Sequence, residues 1–127
     1  MSALAKKLND STATILINGE WYAAKNSMQI YNPFDNSQIA QVACADDELA
    51  IKAIASAKVA FEQNRHQASA ERAAILEGAA NLITTRLEEF AQTIAAETGK
   101  PIVAARKEVS RCVNTLMLSA QEATRLT

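Results

Sequence analysis

The chain is poor in cysteine and histidine, which can act as nucleophiles, bases or metal ligands. It has two cysteines, Cys44 and Cys112, and one histidine, His66, with no CxxC motif. Nucleophilic catalysis needs a base within hydrogen-bond reach, and a metal site needs several ligands close together. Neither pattern is present, so we predict no catalytic residue and no metal site. Cys44 is interpreted as a small core residue and His66 as a solvated or helix-capping side chain.

Glycine motifs that bind phosphate are also missing from the sequence. The chain has 3 glycines, and they form neither GxGxxG nor GxxxxGK[ST]. Such motifs bring backbone N–H groups close to the phosphates of a nucleotide. We therefore predict no cofactor-binding residue in this chain.

Charge and hydropathy argue against several classes of partner. Lys and Arg number 13 and Asp and Glu 14, for a net charge of -1, whereas nucleic-acid binding needs a basic surface. No stretch approaches the ~18 consecutive apolar residues of a membrane span, and the start of the chain lacks the apolar core of a secretory signal. We expect a cytoplasmic protein that binds neither nucleic acid nor membrane.

Strand-like patterns occupy residues 1–45. A β-branched and apolar run meets an aromatic run across Asn18-Gly19, which predicts a two-residue hairpin turn because both turn positions need a positive φ. Further strands are predicted at 28–31 and 38–44, on either side of a turn.

The hydrophobic spacing becomes helical from Asp46, which is the predicted N-cap of a first helix. Ser69 is predicted to cap a second helix. Gly99 suits the position just past a helix end and Pro101 the first turn of the next helix, so together they predict a tight corner before a third helix.

Each predicted helix has an apolar stripe, which indicates a face that packs against the rest of the protein. Gly78 lies within the second helix, where its low helix propensity suggests a close contact with another helix. The stripes are Ala50, Ile54, Ala57 and Phe61; then Leu76, Ala80, Ile83, Leu87, Phe90 and Ile94; then Ile102, Ala105, Val109, Val113, Leu116, Ala120 and Ala123. The predicted fold is an α-rich α+β chain. It has a β-hairpin and short strands in 1–45, then three helices in 46–127, the last two long and antiparallel.

A further signal is the order of short motifs along the chain. Each motif is weak alone, since Asn-Gly-Glu-Trp is also an ordinary hairpin and Thr-Gly-Lys-Pro an ordinary helix corner. In order, they are LINGEW at 16–21, IYNPF at 30–34, the helix at 50–61, Arg72 with Leu76, ETGKPI at 97–102, EVSR at 108–111 and AQEA at 120–123. Together, over nearly the whole chain, they resemble the N-terminal portion of the aldehyde dehydrogenase superfamily.

The resemblance implies an enzyme that oxidises an aldehyde to a carboxylic acid with NAD or NADP. In the family a cysteine attacks the carbonyl, hydride passes to the nicotinamide, and a glutamate-activated water releases the thioester. The family's catalytic cysteine, glutamate and asparagine and its glycine turn fall beyond Thr127. Residues 1–127 are therefore expected to be one fragment of the cofactor-binding domain, part of an α/β Rossmann-like fold. Alone, this fragment should be inactive and should bind no cofactor.

The resemblance also assigns one candidate substrate-binding residue, Arg111. In relatives that act on anionic aldehydes, an arginine of this Glu-Val-x-Arg helix faces the substrate tunnel, and a guanidinium fork binds carboxylate, phosphate or sulfonate oxygens well. The other interpretation, a surface arginine paired with Glu108, stays open. Thr115 and Leu118 share this face and are further candidates for the tunnel wall, although core packing is the favoured role for Leu118.

A second function of a different class is a free-standing helical interaction or structural module without enzymatic activity. In an isolated fragment of the enzyme, by contrast, surface that normally packs would be exposed. The apolar stripes of the second and third helices are then candidate contact surfaces, because large exposed apolar patches tend to find partners. We therefore expect a homo-oligomer.

Overall fold

The computed structural model describes residues 14–125, which contain four strands and four helices. The start of the chain, which we compared with a secretory signal, lies outside the described residues. The first of two compact units ends at His66 and the second begins at Gln67. The elements are β1 (Thr14–Ile17), β2 (Glu20–Ala23), β3 (Asn26–Tyr31), β4 (Gln38–Cys44), α1 (Asp47–Asn64), α2 (Ser69–Thr85), α3 (Leu87–Thr98) and α4 (Ile102–Arg125).

The predicted hairpin turn is confirmed. Asn18 and Gly19 both have positive φ, 52° and 79°, and β1 pairs with β2 in antiparallel register. This is the backbone geometry that a two-residue turn between twisted strands requires.

A second two-stranded sheet pairs β3 with β4, also antiparallel. In the connecting turn Asn36 has a φ of 57°. The Asp35 carboxylate accepts hydrogen bonds from the N–H and the hydroxyl of Ser37, at 3.0 and 2.6 Å. These bonds lower the pKa of Asp35. The predicted strand at 38–44 is confirmed, and β3 begins two residues before the predicted strand.

The N-cap of α1 is confirmed, but the face predicted to pack is wrong. Asp46 accepts a hydrogen bond from the N–H of Leu49 at 3.0 Å. All four residues of the predicted stripe are exposed, whereas Leu49, Ala53 and Ser56 are half-buried. In the first unit α1 contacts β1, so the strand covers a different side of the helix. Periodicity shows which residues share a face, but it does not show which face has a neighbour.

The predicted second helix is two helices, so the chain has four helices in 46–125 rather than three. The break is at Arg86, with φ -112° and ψ 20°. Just before it, the hydroxyls of Thr84 and Thr85 donate to the carbonyls of Ala80 and Leu82, both at 2.8 Å. Such bonds compete with the regular helix ladder. The apolar spacing continues through the break because only one residue leaves the helix, and this concealed the break in the sequence.

The start of α2 also differs from the prediction. Ser69 is the first helical residue, and Ala68 occupies the N-cap. Glu71 accepts a hydrogen bond from the N–H of Ala68 at 3.2 Å. The glutamate half of a capping box therefore stabilises this end in place of the serine.

Small residues form the core of the second unit, and one cluster of them lies between α3 and α4. Ala91 and Ala105 are fully buried and Val109 nearly so, and Leu87 and Ile94 pack against them. Side chains this small let the two helix backbones approach closely. Phe90 of the predicted stripe is instead exposed, with the Arg86 guanidinium 5.4 Å from its ring centroid.

The corner between α3 and α4 follows the prediction at Gly99. Its φ is 69°, in the left-handed region, and its N–H bonds the carbonyl of Ala95 at 2.9 Å. Pro101 precedes α4, and its carbonyl accepts the first bonds of that helix, from Ala104 and Ala105. The stripe predicted for α4 is confirmed, because its seven residues are the ones in that helix that are not exposed.

Gly78 does not mark a close helix contact among the residues described. A Cβ placed there meets no atom within 4 Å, and the residue is exposed. That prediction is therefore wrong for this part of the chain.

Candidate functional site

The exposed face of α4 carries a depression of about 550 Å³. Residues one and two turns apart lie above one another on a helix, so α4 alone brings these side chains together. Arg111 and Thr115, both predicted from the sequence, lie in the same wall. The lining residues are Ala104, Lys107, Glu108, Arg111, Cys112 and Thr115.

Contacts with α2 and α3 hold this helix in place. Besides the small-residue core, Arg106 donates two hydrogen bonds to the Glu88 carboxylate, each 2.9 Å long. The bonds lower the pKa of Glu88 and raise that of Arg106. At an exposed position, a bidentate ion pair of this kind fixes the orientation of the two side chains more than it adds stability. The pair joins the second residue of α3 to the fifth residue of α4.

Arg111 differs from the other arginines in its contacts. Across residues 14–125, the guanidinium groups of the other five donate hydrogen bonds to carboxylates or a backbone carbonyl, whereas that of Arg111 has no such partner. Those five are Arg65, Arg72, Arg86, Arg106 and Arg125. The Arg111 guanidinium is thus available to an anion in the depression.

Glu108, the partner that the second interpretation gave to Arg111, is engaged elsewhere. Its carboxylate forms an ion pair with Lys100, at 2.5 Å. Lys107 adds a second positive charge to the lining of the depression. The uncompensated charge of this surface is therefore positive, which favours an anionic ligand.

The other reactive residues do not form a site. Cys112 is exposed in the depression and Cys44 is half-buried in β4 of the other unit. His66 is exposed, and its backbone N–H bonds the carbonyl of Gln63 at 3.3 Å. Over the described range, no group of three His, Cys, Asp or Glu side chains could hold a metal ion. Nor does any helix there have the length and apolar character needed to cross a membrane.

Two basic residues were missed in the sequence: Lys107, which lines the depression with Arg111, and Lys100, which pairs with Glu108. The role favoured for Leu118 was also wrong. Lys107 could have been found, since it lies one turn before Arg111. Lys100 could not, because its contact with Glu108 depends on the corner. Leu118 is 61% exposed and so does not pack in a core among the described residues.

A second depression, of about 310 Å³, lies within the first unit between the hairpin and α1. The Lys52 ammonium sits 3.8 Å from the centroid of the Tyr22 ring, a cation–π contact that ties the helix to β2. Asn18 and Ser56 add polar atoms to the lining. No sequence pattern indicated this surface, since its residues come from elements far apart in the chain.

Comparison with known proteins gives consistent results. Residues 21–127 match the aldehyde dehydrogenase family. The chain is 38% identical over 112 residues to the 3-sulfolactaldehyde dehydrogenase of Priestia aryabhattai, covering 88% of this chain and 23% of that protein.

Solved structures of the same family are also similar to the chain. An aldehyde dehydrogenase from Brucella melitensis biovar abortus has a TM-score of 0.89 and 29% identity, covering 100% of this chain and 26% of that one. A betaine aldehyde dehydrogenase from Staphylococcus aureus in complex with NAD+ has a TM-score of 0.85 and 28% identity, covering 95% and 24%. The chain spans about a quarter of the length of these proteins.

Proposed function

The chain belongs to the aldehyde dehydrogenase family, and from this premise we propose that it is part of a cytoplasmic enzyme that oxidises an aldehyde to a carboxylic acid. The proposed reaction uses NAD+ or NADP+ and a cysteine thioester, within an α/β Rossmann-like fold. The observation that carries the proposal is the match of residues 21–127 to the family. The Staphylococcus aureus relative in complex with NAD+ supports a nicotinamide cofactor.

The described residues do not fit the cofactor. The three glycines of the chain lie in the hairpin turn, inside α2 and at the corner after α3, and none follows a strand and opens a helix, as a dinucleotide-binding turn does. We therefore propose that the cofactor and the reacting cysteine lie in other parts of a longer enzyme, and that these 127 residues alone are inactive.

Arg111 is proposed to bind an anionic group of the aldehyde. The support is that its guanidinium has no partner among residues 14–125 and that a second cation, Lys107, lies one turn away. A relative named for 3-sulfolactaldehyde, a sulfonate, acts on a substrate of this charge. The betaine aldehyde relative shows that family membership alone does not determine the charge of the substrate.

The test uses the full-length enzyme, with succinate semialdehyde as the anionic substrate and butanal as the neutral one. Replacing Arg111 by Leu should raise KM for succinate semialdehyde about tenfold or more, because hydrogen bonds to charged groups contribute about 1.5–3 kcal/mol. KM for butanal should change little. The matched control is Arg125→Leu, whose guanidinium pairs with Glu122, and the isolated 127-residue chain is the blank.

Equal effects of Arg111→Leu on the two aldehydes would refute the substrate-binding role. Cysteine-dependent production of NADH by the isolated chain would contradict the proposal that this part of the enzyme is inactive alone.

A further inference from the structure

We propose that Lys100 keeps Arg111 free to bind an anionic substrate by holding the carboxylate of Glu108. The inference rests on the proposed function above, since it concerns the same arginine. It adds a residue that acts on substrate preference through another side chain. Lys100 is thus a positioning residue.

The first argument is internal to this chain. Glutamate followed three residues later by arginine occurs elsewhere in its helices, and there the two side chains form ion pairs. Glu62 pairs with Arg65 at 3.2 Å and Glu122 with Arg125 at 3.0 Å. Glu108 precedes Arg111 by the same spacing, yet its partner is Lys100.

Local sequence explains why Arg111 is the alternative to Lys100 as the partner of Glu108. Side chains three or four residues apart face each other on a helix, whereas adjacent ones do not. At these distances from Glu108 lie Ala104, Ala105, Arg111 and Cys112. Arg111 is the one basic residue of the four, so Glu108 released by Lys100 would turn to Arg111.

The corner holds Lys100 in reach of Glu108. Gly99 takes the left-handed conformation that ends α3, and the N–H of Lys100 bonds the hydroxyl of Thr98 at 3.4 Å. The backbone of Lys100 therefore has a defined position just before α4. Its side chain reaches past the first two turns to Glu108, eight residues on.

Charge gives the consequence for binding. With Glu108 neutralised by Lys100, Lys107 and Arg111 are the uncompensated charges in the lining of the depression. Without Lys100, Glu108 would occupy Arg111 for part of the time. An i, i+3 pair of ordinary strength would leave about 30–40% of Arg111 free, so apparent affinity would fall about twofold to threefold.

The experiment is a double-mutant cycle in the full-length enzyme with the same two aldehydes. Lys100→Met should raise KM for succinate semialdehyde about twofold to threefold, with kcat and KM for butanal unchanged. Glu108→Gln alone should leave KM for succinate semialdehyde equal or lower. The double variant should restore the wild-type value, because a neutral glutamine does not compete for Arg111. Lys100→Arg, which keeps the charge, should behave as wild type.

Each other outcome overturns the inference. If the double variant keeps the raised KM, Lys100 acts directly or through the fold. If Lys100→Met has no effect, Glu108 does not compete. Should either variant unfold early in a thermal melt, Lys100→Gln repeats the same comparison. If Lys100→Met leaves KM for succinate semialdehyde unchanged while Arg111→Leu raises it, this inference alone is refuted. If Arg111→Leu also leaves it unchanged, the proposed substrate-binding role of Arg111 is refuted, and this inference with it.

Discussion

At the scale of single residues, the contacts of a charged side chain decide what it can bind. Five arginines of the described range are occupied by carboxylates or a carbonyl, and Arg111 is not. The difference does not come from Arg111 itself. It comes from the partner of Glu108, which is Lys100.

Asp46 is one residue through which acid should weaken the first unit. Hydrogen bonding from the N–H of Leu49, and next from Lys25 at 3.1 Å, lowers the pKa of this carboxyl. A carboxyl whose pKa is lower in the folded state stabilises the fold above its unfolded pKa, which is about 4. That contribution is lost as the pH falls through the lower, folded pKa.

We predict that Asp46→Asn reduces the loss of stability between about pH 5 and pH 2. Asparagine still caps a helix but does not titrate. The measurement is urea unfolding at a series of pH values, followed by circular dichroism. An acid dependence as steep in the variant as in the wild type would exclude Asp46 as a source of it.

At the scale of elements, two glycines in the same helical unit have opposite roles. Gly99 needs its positive φ to end α3, whereas Gly78 lies inside α2 with open space where a Cβ would be. Alanine costs about 1–2 kcal/mol in the left-handed region. In a helix interior it is about 0.5–1 kcal/mol more stable than glycine.

Gly99→Ala should therefore lower the free energy of unfolding by about 1–2 kcal/mol, and Gly78→Ala should raise it by about 0.5–1 kcal/mol. Chemical denaturation of both variants beside the wild type measures this, and each serves as the control for the other. If Gly78→Ala destabilises the protein, then some surface outside residues 14–125, such as a second copy, approaches this glycine.

At the scale of the whole molecule, the exposed apolar surface is not on the stripes of the second and third predicted helices, which we expected to be contact surfaces. The stripe of α4 and most of the stripe along α2 and α3 are half-buried or buried within the second unit. The exposed apolar side chains that share a face instead include Ile51, Ile54 and Phe61 of α1. Such a patch favours association.

The 127-residue chain is accordingly expected to form at least a dimer. Light scattering over a concentration series should give a molar mass of at least about twice that of the chain. Ile54→Glu, at a position 70% exposed, should shift the chain toward monomer, while Val103→Glu, 60% exposed on α4, is the matched control. A monomer at every concentration contradicts the expectation.

The second function, a helical module without activity, makes a different claim about the same molecule. The coding sequence after Thr127 separates the two. A reading frame that continues to a cysteine and a glycine turn supports the enzyme, and a stop codon supports the module.

Features that depend on a few neighbouring residues were determined by the sequence alone. The positive φ at Asn18 and Gly19, the cap at Asp46 and the left-handed Gly99 all follow from side-chain and backbone preferences within one turn. The stripe of α4 was predicted equally well. In that helix the apolar stripe is also the covered face, because α2 and α3 pack against a single side.

Only the tertiary structure decided which face of α1 is covered, where the second predicted helix breaks, and that Leu118 and Gly78 are exposed. It also decided that Lys100, eight residues away, and not Arg111, three residues away, pairs with Glu108. The reason is physical. Periodicity and propensity act over about one helical turn, whereas burial and charge pairing depend on which elements the corners and turns bring together.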